Sequence, residues 1–478
     1  NLILIISIFL VCLIISFVLT SMNMTMVAGA VIGIGLFIFG FISPKISLYL
    51  LIFSMLLSPE LGARDYTGKG FTIRFEDLLL VIMCFTWFAK SAVNKEIGLA
   101  VRTPLNFPIF FYMLICFVAT LLGIMDGNVT SPLTGILFVV KYFEYFVIYF
   151  LIVNHLQSKQ EIRHLLTAIM ITYLIVLVVS LAQIPQGGRI TAPFEGQDGE
   201  PNTLGGYLIM MFSLNAVLFF SVEKTYQRVF LAICAFLNFL ALLHTLSRIG
   251  FFVIYIALIF FIKKRNFLIF GMAVGMMVAP MVLPEIVVER IMYTFGIAGE
   301  DVTARHEQLD KRMEQYMALS QAQKEMVLQQ TGLDVNVDSS TAMRLKMMEN
   351  VMRDFPKRPI LGYGVTGYEF LDAQLLKVLI ETGILGVFTF CYLMFATGKL
   401  LFVNWYKYKS DPLYNTLTVG TLCTFLGFLA HSLGTNTFII VRLMEPFWCL
   451  VGMCMAIPII EKKAELAALN TPQFIPDV

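Results

Sequence analysis

The stretch NFLALLHTLSRIGFFVIYIALIFFI, residues 238–262, decides the fold. From Val229 to Ile262 the chain is almost unbroken hydrocarbon, about two membrane-helix lengths at ~20 residues each. A single charge, Arg248, interrupts it, with Ser247 before and Gly250 shortly after. The rest of the chain has the same character. It is 58 % hydrophobic and 14 % charged over 478 residues, against about 45–50 % and 25 % in soluble domains. Mean hydropathy is +0.81. The chain therefore reads as an all-α polytopic integral membrane protein. A net charge of +2, with no basic run longer than Lys263–Arg265, excludes a nucleic-acid binder. All 8 cysteines lie in apolar stretches without CxxC spacing, so neither a disulfide framework nor a zinc site is expected. Residues 1–20 carry no basic n-region and no small-residue cleavage signature, and are read as a first span, not a leader.

Apolar runs of about 20 residues give about fourteen spans: 1–20, 24–42, 45–58, 76–90, 105–123, 132–153, 162–184, 203–222, 228–246, 248–262, 266–283, 373–398, 413–434 and 443–460. Lys and Arg fall unevenly between alternate short loops. About 16 lie on one side, among them Lys95, Arg102, Lys159, Arg163, Lys224 and Arg228, and about 6 on the other. The positive-inside rule then puts both termini in the cytoplasm. The domain division expected is 1–283 (eleven spans), 284–371 (an external helical loop), 372–460 (three spans) and a cytoplasmic tail, 461–478.

The external loop shows two helical patterns. Leu309, Met313, Tyr316 and Met317 are helically spaced before Gly332; Met343, Met347, Val351 and Phe355 share one side of a second helix that Pro356 ends. The loop thus reads as a lid. Arg248 falls at an outer turn. An arginine at depth costs about 2.5 kcal/mol or more, so it faces a polar cavity or the surface. Its planar fork suits paired phosphate oxygens; snorkelling to headgroups or capping helix carbonyls are the other readings. Two further outer segments are polar: Gly187–Leu208, with Arg189 and with Asn202 as a plausible helix cap, and Ser340–Gly386, joining Arg344 to Asp372.

RITAPFEGQDGEPNTLGGYL (189–208), LSRIGFF (246–252) and the run from RLKMMENVMRDFPKRPILGYGVTG (344–367) to LDAQLLKVLIETGILG (371–386) together resemble the O-antigen ligase and Wzy-type polysaccharide polymerase superfamily. RLMEPFW (442–448) resembles its exopolysaccharide branch. The resemblance implies a GT-C-like bacterial inner-membrane glycosyltransferase that uses lipid-linked sugars on the periplasmic side. It implies that Arg248 and Arg344 hold the diphosphate of an undecaprenyl-diphosphate donor, with Arg189 and Asn202 bordering the same cavity and Arg189 serving as a further cation. The ligase histidine is replaced here by Asp372-Ala373-Gln374. Asp372 is either a general base or a helix cap. Glu381 matches the family's glutamate, and otherwise pairs with Lys377 on one helix face, as Lys141 does with Glu144.

His431 is a substitute imidazole or a core histidine; Arg442 pairs with Glu445 or is a further anion contact. GYGVTG (362–367) satisfies GxGxxG but lacks the preceding strand of a dinucleotide fold. It reads as a turn that brings Tyr363 close to a sugar. The expected activity is polymerisation: glycan passes from the lipid-linked donor to a lipid-linked repeat-unit acceptor, without metal, since no DxD-type carboxylate cluster is present. No cofactor is expected. Glycan acceptor, lipid bilayer, chain-length regulator and flippase are the expected partners. Ligation to a lipid core is the second reading. A lipid-linked oligosaccharide flippase is the third, disfavoured by the lack of paired internal repeats.

Overall fold

The computed structural model describes residues 35, 43–58, 60–61, 73–93, 101–245, 340–369 and 371–470. Within them the protein is helical apart from one antiparallel pair of two-residue strands, β1 (Glu60–Leu61) and β2 (Ile73–Arg74), in which Glu60 faces Arg74. The helices are α1 (Pro44–Leu57), α2 (Phe75–Val93), α3 (Asn106–Met125), α4 (Pro132–His155), α5 (Lys159–Leu181), α6 (Pro201–Ser221), α7 (Thr225–His244), α8 (Ser340–Asp354), α9 (Gln374–Tyr408), α10 (Pro412–His431) and α11 (Val441–Asn470). Eight of the described helices, α3–α7 and α9–α11, are long and apolar enough to cross a membrane. Ten of the expected spans fall among these residues, and each is a helix. The expected spans at 1–20, 24–42, 248–262 and 266–283, and the first lid helix, lie outside the described residues, apart from residue 35. At 14 residues α1 spans only about 21 Å of the ~30 Å hydrocarbon.

Local chemistry sets the helix starts. Ser131 accepts from Thr134 N at 3.4 Å and Asp411 from Leu413 N at 3.0 Å, each followed by a proline whose fixed φ suits the first helical position. Ser158 accepts from Glu161 N at 3.3 Å while Glu161 reaches back to Gln157 N at 2.8 Å, a variant of the capping box. Two expected caps are corrected. At α6 the cap position belongs to Glu200, because Pro201 takes the first helical position and moves Asn202 one residue inside. At α9 it belongs to Ala373, one residue beyond Asp372. Helices α9 and α11 also run past the expected ends, because charged residues beyond the apolar core continue the helix.

Helix α11 is the axis of the bundle. Trp448 and Phe447 are buried at its centre; Trp448 meets Phe146 edge-on at 4.8 Å and Phe447 lies 5.3 Å from Phe428. α11 packs along α4, α10 along α6, and α9 along α3. Among the described residues seven cysteines are free, and Cys12 lies outside them.

Buried charges tie α1, α2, α4 and α11. Arg442 is 2 % exposed, pairs with Glu76 at 3.0 Å and donates to the Met55 carbonyl, while Ser58 donates to Glu76. The expected Arg442–Glu445 pair does not form, since the Arg442 fork is turned toward α1 and α2. Lys141 does pair with Glu144, at 2.9 Å, and also with Asp77.

Removing one member of a buried pair costs roughly 3–5 kcal/mol, whereas an exposed pair is worth about 0–1. Glu76→Ala should therefore lower the unfolding free energy in detergent by several-fold more than Lys159→Ala, which breaks the surface pair with Asp411. Equal losses would mean that the Arg442–Glu76 pair does not hold α2 to α11.

Candidate functional site

The candidate residues gather at one end of the bundle, where α3, α5, α7 and α10 finish and α4, α6, α9 and α11 begin. The α5–α6 connection opens with a 3-10 turn, Ile184–Gln186, followed by Gly187 and Gly188 at φ +78° and +79°, a backbone only glycine adopts cheaply. The chain then lies on the end of α7. Arg189 Nε donates to the Thr245 carbonyl at 3.0 Å, and Ile190 N to His244 at 3.1 Å. The Gln183 amide fastens the loop to itself through both Thr191 backbone groups, at 2.9 and 3.1 Å. Arg189 thus stands against the residues that lead into Arg248, which is three positions past Thr245 and outside the described residues.

Further along, Glu195 accepts from Glu200 N at 2.8 Å, and Asn202 Nδ2 donates to Glu200 Oε1 at 3.0 Å. Burial holds the Glu195 carboxyl above its ordinary value, against the Glu200 N–H and the charge of Arg74. The charge of Arg74, in β2, thus bears on Glu195 in the α5–α6 connection. Sequence reasoning did not single them out as a pair. The density of polar residues in 189–208 was the only signal, since nothing in local spacing brings Arg74 there.

The second half of the site is built on a broken helix. Inside α9, Gly383 has φ 67° and ψ −167°, outside helical space. The break leaves carbonyls unserved below it and N–H groups unserved above it. Residues 359–364, which lead into GYGVTG, serve both sets: Tyr363 N donates to Ile380 O at 2.9 Å and Gly364 N to Glu381 O at 2.8 Å, while Ile384 N donates back to Pro359 O at 2.9 Å. Glu381 is buried, and its Oε1 accepts from Thr366 N at 3.1 Å with Lys377 Nζ at 3.7 Å. Thr366 is the only non-glycine residue at positive φ among those described. Glu381 thus holds the turn in place. On its other side the turn sits against α3, where Val365 N donates to Thr120 Oγ1 at 3.2 Å and a Cβ on Gly123 would overlap the Tyr363 carbonyl.

Helix α8 caps this assembly. Val351 is fully buried with Leu371 and Ile380, and Met347, Phe355, Tyr363, Tyr368 and Leu376 close around them. The apolar face expected from spacing is the docked face. Arg344 lies in the first half of α8. At its end Asp354 accepts from Lys357 Nζ at 2.7 Å and Tyr368 OH at 2.8 Å, and its carbonyl accepts from Tyr363 OH at 3.0 Å. Lys357, Arg353 and the Tyr368 hydroxyl hold the Asp354 carboxyl well below the usual carboxylate range. Arg358 pairs with Asp126 at the end of α3 and lies 5.5 Å from the centre of the Tyr363 ring.

Asp372 is half-buried where the chain passes under the α10–α11 connection. Asn436 donates to the Leu371 carbonyl, Gln374 N to Ser432 O at 3.2 Å, and Phe438 N to Gln374 Oε1 at 2.9 Å. His431 is fully buried, its Nδ1 2.8 Å from both the Thr435 and Thr437 hydroxyls, and it packs on Gly206 of α6. It is a core histidine that fixes the connection beside Asp372. Arg442 sits deeper, in the ion pair with Glu76. The structure therefore joins Glu381, Tyr363 and α8 in one assembly, sets Asp372 and His431 about a shared connection, and places Arg189 on the α5–α6 connection and Asn202 in the first turn of α6. Among the described residues no group of three or more His, Cys, Asp or Glu side chains is arranged to hold a metal ion.

Residues 231–391 match the family model Wzy_C, described as O-antigen ligase. That stretch is about a third of the chain and includes most of α7, all of α8, the turn, and α9 through its break as far as residue 391. The match supports the resemblance of this stretch to the O-antigen ligase and Wzy-type superfamily. No curated protein matches the chain.

Gly383→Ala would place a Cβ against the Ile360 carbonyl at a φ that costs roughly 1–3 kcal/mol for other residues. It is expected to undock the turn and speed tryptic cleavage after Lys357. Thr366→Gly relieves a positive φ and should leave cleavage unchanged. Equal cleavage in both variants would separate the turn's docking from the break.

Proposed function

We propose that the protein is a polysaccharide polymerase acting on undecaprenyl-diphosphate-linked glycan at the periplasmic face of a bacterial inner membrane, with both termini cytoplasmic. The observation that carries this reading is the placement of Asp372. It stands one residue ahead of the α9 cap, half-buried, where the ligase motif has a histidine, and the nearby His431 is committed to the core. In the proposed step the acceptor sugar hydroxyl attacks the anomeric carbon of the donor. The bond from that carbon to the diphosphate oxygen breaks, and the diphosphate leaves with the electron pair. The hydroxyl proton passes to the Asp372 carboxylate. Arg248, Arg344 and Arg189 neutralise the departing charge through paired N–H contacts, and Asn202 and Tyr363 border the glycan. Glu381 acts by holding the turn that carries Tyr363. The leaving group is already activated, so the step needs no metal.

Ligation of the glycan to a lipid core is the second reading, favoured by the description of the matching family model.

The test supplies purified protein with one polyprenyl-diphosphate oligosaccharide repeat and no other acceptor. A ladder of repeat lengths is expected. Arg248→Ala or Arg344→Ala should slow it by ~10²–10³-fold, the loss typical of one charge-stabilising donor. Asp372→Asn should cost ~10²–10⁴-fold, as for a general base. Product only with a lipid-core acceptor would make the protein a ligase, and silence with every acceptor would leave the flippase.

A further inference from the structure

Glu445, in the second turn of α11, is 0 % exposed, and neither of its carboxylate oxygens has a hydrogen-bond partner. Burying an isolated carboxylate costs far more than neutralising it. The groups facing it are charged from three sides. Helix α2 brings Glu76, with Asp77 beside it; α4 brings Lys141 and Glu144; α11 itself brings Arg442. Strand β2 adds Arg74, whose backbone N–H donates to Asp77 at 3.0 Å and whose charge bears on Arg442. Helix α1 supplies the Met55 carbonyl, and its C-cap Ser58 a hydroxyl.

The cations pair elsewhere, although Arg442 Nε and Nη2 are buried without a hydrogen-bond partner and do not reach Glu445. Lys141 serves both Asp77 and Glu144, and Arg442 serves Glu76. Glu144 keeps one oxygen buried without a hydrogen bond. Even with Arg74 counted, the carboxylates of Glu76, Asp77, Glu144 and Glu445 outnumber the cations Lys141, Arg442 and Arg74. Among the described residues one negative charge is left over, and it falls on Glu445, whose oxygens accept no hydrogen bond.

We propose that this cluster is a proton-binding site between α2, α4 and α11, with Glu445 as the carboxyl that carries the proton. No trio of ligating side chains stands there among the described residues, so the geometry suits a proton and not a multivalent metal ion. The proton balances the surplus charge and leaves Glu445 a neutral acid. This inference is independent of the proposed glycan chemistry.

The experiment is infrared spectroscopy of the full chain in lipid nanodiscs at neutral pH, wild type against Glu445→Gln, with thermal unfolding of both. The wild type should show the carbonyl band of a protonated carboxyl group. Glu445→Gln, the neutral isostere of that acid, should lose the band and unfold at the same temperature. Absence of the band from the wild type would overturn the proposal whatever the variant does. So would a folded Glu445→Gln protein that keeps the whole band. A Glu445→Gln protein that fails to fold would overturn it too, because the charge itself would then be needed.

Discussion

In a membrane every backbone N–H and C=O must find its partner within the protein. Helix α9 breaks that continuity at Gly383, and the site depends on how the break is repaired. The turn at 359–364 donates to the carbonyls on one side of the gap and accepts from the N–H groups on the other. Neither piece is satisfied alone. The turn, the upper half of α9 and the docked face of α8 therefore form one unit, and the positions of Asp372, Glu381 and Tyr363 follow from it.

A second constraint is electrostatic. The charged side chains at this end do two kinds of work. Arg442, Glu76, Lys141 and Asp77 are spent on holding helices together, buried and paired. Arg189 lies on the connection that closes over the end of α7, and Asn202 in the first turn of α6 bonds back to Glu200 of that connection. Burial alone would not separate the two groups. Partner identity does, because the first binds across transmembrane helices and the second binds loop backbone and loop side chains.

Helix positions were legible in the sequence because a lipid-facing helix must be apolar along its length, and the apolar face of α8 was legible from Met347, Val351 and Phe355. The motif segments around Arg189 and Asp372 were legible as polar clusters in apolar surroundings. The break in α9 was not. A single glycine in LIETGILG looks like any tolerated helical glycine, and only the turn lying some twenty residues earlier in the chain reveals its conformation. The partner of Arg442 was misread for a related reason. Spacing along one helix favours Glu445, but the pair that forms, with Glu76, joins residues far apart in the chain. The Arg74–Glu195 approach is likewise set by tertiary packing.

The interlock between the turn and α3 bears on how the chain is assembled. Val365 and its partner Thr120 are 245 residues apart in sequence. When α3 is inserted, the surface that will receive the turn, around Gly123, is already complete yet has nothing to hold. When the turn is made, its backbone polar groups meet an unfavourable environment until α3 and α9 both close on it. Docking is therefore a late, long-range event in biogenesis, slow in the way non-local contacts are slow. The same closure that shapes the site joins segments 245 residues apart in the chain.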